Sequence, residues 1–225
     1  MKKTLTLLAL SVLGLFACQS NDRVQRDWDV LIPQILGAGQ QPVEAAGNLF
    51  NVTSPDERRD AIAYLQMKKF GYGEPYMKAY KLLATDPHPL VRSQAMRALG
   101  DSGDPSIVPI LVKGLNDKVV TVRRDAAVAL RTTYSDEAVE SLVLRLKGDE
   151  DEAVQIDCAR ALGNSRDPRA VRGLIDGLDS RNAAVAFYAH QSLLAITGQN
   201  LPAEEGSSWL RWYEATYTAA ATQPK

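Results

Sequence analysis

The chain has 225 residues, 45% of them hydrophobic and 24% charged, with a formal charge of −1, two His and two Cys. This is ordinary globular composition, which excludes a disordered, collagen-like or polytopic membrane protein. The balanced charge supplies no bulk field for nucleic acid, and so few His and Cys leave little material for a zinc cluster.

Lys2 and Lys3 open the chain, and an uncharged stretch runs from Leu5 to Ala17. A short basic region before an apolar run of this length predicts a secretory signal, too short to span a bilayer as a helix. Cys18 then follows Leu15-Phe16-Ala17. This resembles the lipobox of bacterial lipoproteins. The resemblance implies that residues 1–17 are removed as a signal peptide and that Cys18 is acylated, palmitate included. Residues 18–23 would then be a lipidated tether in the cell envelope. Gln19 in place of Asp implies the periplasmic face of the outer membrane where the organism has one, and otherwise the outer face of the cytoplasmic membrane. Removal of Lys2 and Lys3 would leave 24 basic against 27 acidic residues, a formal charge of −3.

Val24, Trp28, Leu31, Ile32, Ile35 and Leu36 fall at helical spacing and predict an N-terminal capping helix within 24–41, broken by Gly37-Ala38-Gly39-Gln40-Gln41-Pro42. From residue 42 to 197 the chain repeats itself. Val91, Val122, Val154 and Val185 are spaced 31, 32 and 31 residues apart, and Leu99, Leu130, Leu162 and Leu193 keep the same spacing. Val, Ala or Cys, and Leu at i, i+4 and i+8 make one buried helical stripe. Leu111/Leu115, Leu142/Leu146 and Leu174/Leu178 make another between them. Each unit is therefore a pair of helices.

The punctuation agrees. Asp86, Asp117, Asp149 and Ser180 stand five residues before the repeat's Val and can turn or cap the chain there. Asp104-Pro105 and Asp167-Pro168 read as helix starts, and Asp136-Glu137 as the same without Pro. Gly100 and Gly163 read as helix stops. The units Asp86…Val91-Arg92…Ala95…Ala98-Leu99-Gly100 and Asp117…Val122-Arg123…Ala126…Ala129-Leu130 resemble HEAT repeats, of the short variety found in phycobilisome-lyase-like proteins. Gln155 and Ala186 replace the Arg in the third and fourth units, and a weaker unit runs from Asp56 to Leu65, with Pro75–Leu83 as the next first helix. The resemblance implies an all-α solenoid of helical hairpins with N- and C-terminal capping helices. Residues 198–225 hold a loop, a helix with Trp209, Trp212, Tyr213 and Tyr217 at i, i+3, i+4 and i+8, and a tail. These aromatics are expected to close the open end of the core.

No catalytic constellation emerges. The chain has no Gly-x-Ser-x-Gly turn, no phosphate loop, and no His-Glu pair of the kind that holds iron in some HEAT-repeat oxygenases. His88 falls in a turn and His190 on the flank of the buried stripe. Cys158 takes an Ala position and is expected to be a small buried hydrophobe. Asp149-Glu150-Asp151-Glu152 lacks the ligand spacing of a calcium loop and reads as a solvated helix start. The expectation is a chain without metal, cofactor, nucleic acid or enzymatic activity. In HEAT stacks the second helices line the concave side, and surface positions there include Arg97, Arg124, Ile156, Arg160, Phe187 and Tyr188. These are the candidate partner-binding residues, in a groove expected to grade from Arg-rich to apolar. Arg92 and Arg123 are instead expected to pair with the turn aspartates between units. The implied function is a lipid-anchored envelope scaffold that binds an unidentified envelope protein. The alternatives are a lyase-like or cofactor-handling protein and a purely structural envelope protein.

Overall fold

A computed structural model describes residues 42–218, and the expected signal, Cys18, its tether and the helix over 24–37 lie outside them. The described residues are helical, without strands, and form five helix pairs in sequence. The pairs are α1 (Pro42–Asn48) with α2 (Pro55–Gln66), α3 (Tyr76–Leu83) with α4 (Pro89–Asp101), and α5 (Val108–Gly114) with α6 (Val120–Thr132). They continue with α7 (Val139–Gly148) and α8 (Glu152–Leu162), then α9 (Pro168–Gly177) and α10 (Ala183–Thr197). A last helix, α11 (Gly206–Tyr213), runs into a π-helical turn at Glu214–Thr218. None of the described helices is long and apolar enough to cross a membrane.

The repeated stripe forms the core. Val91, Ala95 and Leu99, then Val122, Ala126 and Leu130, then Val154, Cys158 and Leu162 are all 0% exposed. The first helices close over them with Leu111, Leu115, Leu142, Leu146 and Leu174. Each second helix packs on the next, α2 on α4, α4 on α6, α6 on α8 and α8 on α10. α4 and α6 lie together along their length, whereas α3 and α5 scarcely meet. The resemblance to HEAT repeats implies that these second helices line the inner side of the stack.

Small residues make that close approach possible. Ala98, Ala129, Ala161 and Ser192 share one position in successive repeats, all of them buried. Gly100 and Gly163 serve the same end; Gly163 also stops its helix as expected, being the cap of α8, whereas Gly100 does not. Gly100 lies inside α4, and a Cβ there would stand 2.4 Å from the Ala129 Cβ. A Cβ on Gly163 would stand 2.7 Å from the Ser192 hydroxyl. Side chains then tie the layer together. Thr133 donates to the Gly100 carbonyl at 3.1 Å, Asn164 to that of Arg131 at 2.6 Å and Ser192 to that of Ala159 at 2.9 Å.

The caps follow local chemistry with one correction. Asp104 and Asp167 each accept a backbone N–H at their helix starts, but in the third unit Ser135, not Asp136, accepts the Glu137 N–H. Asp136 accepts a hydrogen bond from the Tyr134 hydroxyl instead. Gly198, at φ +68°, ends α10 in the left-handed region that glycine occupies at least cost. The chain then returns so that α11 packs on α9. Trp209 is fully buried, donates to the Pro202 carbonyl at 3.0 Å and meets His190 edge-on at 6.0 Å. Trp212, Tyr213 and Tyr217 stack outward from it, half-buried over the end of the core.

Candidate partner-binding face

An ion-pair ladder runs along the turn edge of the stack. Arg58, Arg92 and Arg123 each donate through Nε and Nη2 to both carboxylate oxygens of Asp86, Asp117 and Asp149 respectively, at 2.7–2.9 Å. Each pair joins a second helix to the turn of the following unit. The arginine Nη1 groups donate to backbone carbonyls of Asn51, Asp86 and Asp117. Each aspartate also accepts the backbone N–H two residues on, at His88, Val119 and Asp151. The pairings expected of Arg92 and Arg123 are present, and Arg58 adds a rung from the weakest repeat.

These bonds outweigh burial. Desolvation pushes the Asp149 carboxyl up, but hydrogen bonds from Arg123 and the Asp151 N–H, with the charges of Arg123 and Arg145, hold it below the usual carboxylate range. Asp117 is lowered in the same way: Arg92 and the Val119 N–H overcome desolvation, helped by Lys118. At the last junction both ladder residues change together. Gln155 keeps only the bond to its own turn, donating to the Asp149 carbonyl at 2.7 Å. Ser180 keeps only the turn, accepting the Asn182 N–H at 3.2 Å.

The inner face carries the six candidate residues, and its charge does not grade as expected. Arg97 meets Asp125 at 3.0 Å, and Asp125 also accepts a bond from Ser93. Arg124 meets Asp157 at 3.2 Å. Asp125 and Asp157 are 13% and 8% exposed at the side chain, so each of these arginines is held by a carboxylate set between helices. The depression around Arg97 contains Asp101 as well, so its net charge is not positive. The supposed Arg-rich end is thus largely neutralised.

The other end is where the candidates converge. Arg160, Phe187 and Tyr188 line one depression of about 450 Å³ with Arg131, Asn164 and Gln191. The Arg160 guanidinium lies 5.1 Å over the Tyr188 ring, and Phe187 meets Tyr188 edge-on at 5.3 Å. Phe187 is 54% exposed even so. Ile156 is half-buried and packs against the core. Sequence reasoning missed Asp125, Asp157 and Arg131. The aspartates could have been found, because they share one repeat position, and Asp125 has no basic residue three or four places away on its own helix.

The remaining chemistry-bearing residues have structural roles. His190 is 2.7 Å from the Leu201 carbonyl and fixes the loop before α11. Cys158 is fully buried, and desolvation pushes its thiol far above the ordinary range. Of the acidic run, Asp149 belongs to the ladder and Asp151 caps α8 through the N–H groups of Ala153 and Val154. Among the described residues no group of three or more His, Cys, Asp or Glu could hold a metal ion.

A family model described as HEAT repeats matches residues 45–131, 76–149 and 122–195. No curated protein matches the chain. Among solved structures, it is similar to the complex of CpcE and CpcF of phycocyanin lyase from Nostoc sp. PCC7120. That likeness has a TM-score of 0.62 at 21% identity, over 71% of this chain and 66% of the other. The chain thus spans just under two thirds of that neighbour's length. An engineered protein is similar with a TM-score of 0.53 at 19% identity, over 79% of this chain and 90% of the other. At these identities the likeness is one of fold.

Proposed function

The chain belongs to the HEAT-repeat family, and on that premise we propose a non-enzymatic scaffold that binds a partner protein through the inner face of its second helices. The observation that carries this is Phe187, a large aromatic side chain 54% exposed on α10 beside Tyr188 and the stacked Arg160. Arginine and aromatic residues dominate the energetics of protein interfaces. The phycocyanin lyase neighbour was itself solved as a complex of two proteins, which supports the use of this fold in association.

The scaffold is proposed to sit in the bacterial envelope, held by lipid on Cys18. The support is the Lys2-Lys3 start, the apolar run to Ala17 and Leu15-Phe16-Ala17-Cys18. Alkyne-palmitate labelling tests the anchor: the full chain is expected to label and partition with membranes, and C18A to do neither.

Phe187→Asp tests the binding face. Loss of a co-purifying envelope protein, with an unchanged melting temperature, is expected. Retention of that protein would contradict the assignment. The likeness to phycocyanin lyase supports a second reading, a lyase-like or cofactor-handling protein, which predicts a bound chromophore after purification from its native host. A purely structural envelope protein predicts no specific co-purifying protein.

A further inference from the structure

The arginines of the inner face divide into two classes. Arg97 and Arg124 are met by Asp125 and Asp157. Among the described residues, Arg131 and Arg160 have no carboxylate partner. Both line the same depression, whose other polar residues are Asn164, Gln191, Ser192 and Tyr188. No carboxylate lines it. Phe187 forms its apolar wall. Two cations in an open depression without a counter-charge leave a local positive potential for whatever approaches. The Arg160 guanidinium stacks on Tyr188 at 5.1 Å, which fixes its plane without using its N–H donors on an anion.

We propose that this depression receives an acidic segment of the partner protein, with an Asp or Glu carboxylate between Arg131 and Arg160 and a neighbouring apolar side chain on Phe187. This rests on the partner-binding reading of the face and names its chemistry. Arginine presents a planar fork that matches a carboxylate, so the pair selects a charged oxygen acid over an amide of the same shape. The compensated arginines at the other end contribute no such preference. The acceptor is therefore one end of the groove and not its whole length.

The test uses the full chain and a rhodamine-labelled nonapeptide alternating Glu with Leu and Phe, followed by fluorescence anisotropy. Counterparts carry Gln or Lys in place of Glu. The Glu peptide is expected to bind at least tenfold more tightly than the Gln peptide and the Lys peptide least. That advantage is expected to vanish in R131Q/R160Q and to survive in K113Q, on the outer helix α5. Circular dichroism of R131Q/R160Q verifies that the fold is retained. Equal binding of the Glu and Gln peptides, or binding of none, overturns the acidic preference. An advantage that persists in R131Q/R160Q overturns the location. Failure of the underlying reading shows separately, as an absence of partner crosslinks from Phe187 in cells.

Discussion

Arg123 on α6 and Asp149 in the turn of the next helix pair meet through two hydrogen bonds of 2.8 and 2.9 Å, with side chains 5% and 0% exposed. Buried pairs of this kind are costly to break from one side, because the survivor remains as a desolvated charge. R123Q is expected to lose about 3 kcal/mol of stability. The chain itself shows how the loss is offset, since Gln155 and Ser180 occupy the same two positions at the last junction. R123Q/D149S should therefore be more stable than R123Q alone. Urea melts of both single variants and the double variant give the coupling, expected at about 1–3 kcal/mol. Additive losses would show that the ladder is not a paired device.

The ladder also sets a pH dependence. The carboxyls of Asp117 and Asp149 are held below the ordinary range in the folded chain. The unfolded chain then binds more protons at acid pH, so stability rises with pH through that region. The contribution is fully present above the ordinary carboxylate pKa of about 4 and is lost as pH falls through the lower folded values. Thermal melts between neutral and strongly acid pH should show this decline, and D149N should flatten it.

Two glycines at helix ends should respond oppositely to the same change. A Cβ on Gly100 would meet Ala129 at 2.4 Å, while one on Gly148 would have nothing within 4 Å. Gly100→Ala should destabilise by about 1–3 kcal/mol through overpacking between α4 and α6. Gly148→Ala should be neutral or gain up to about 1 kcal/mol from reduced backbone freedom. Differential scanning calorimetry of the two variants decides the matter.

Trp209 closes the stack. Its complete burial and its bond to Pro202 predict a loss of about 4 kcal/mol for W209A. W212A, from the half-buried outer layer of the same cluster, should cost markedly less. Similar losses would place the closing contact elsewhere on α11.

Much of this molecule was legible in its sequence, because a buried helical stripe has a period that can be counted. Val122, Ala126 and Leu130 declare their helix by spacing alone. The pairing of Arg92 and Arg123 with turn aspartates was equally readable, since opposite charges recur at fixed places in the repeat. What escaped depends on a neighbour about 30 residues away. Gly100 after Leu99 has the local form of a helix stop, and only the approach of Ala129 reveals it as a packing position. Asp125 and Asp157 look like surface residues until the adjacent helix brings Arg97 and Arg124 onto them. Arg131 lies one place beyond the repeated segment that ends at Leu130, and it joins Arg160 and Tyr188 only through the packing of α6, α8 and α10 side by side.

The inner face of the second helices is proposed to hold a partner protein. Site-specific photocrosslinking in cells tests it most directly, with the photoreactive side chain at Phe187 and, as the control, at Lys113 on α5. One dominant envelope protein is expected from Phe187 and absent from Lys113, joined through a segment containing Asp or Glu beside an apolar residue. No specific product from Phe187, or the same product from both positions, would contradict it.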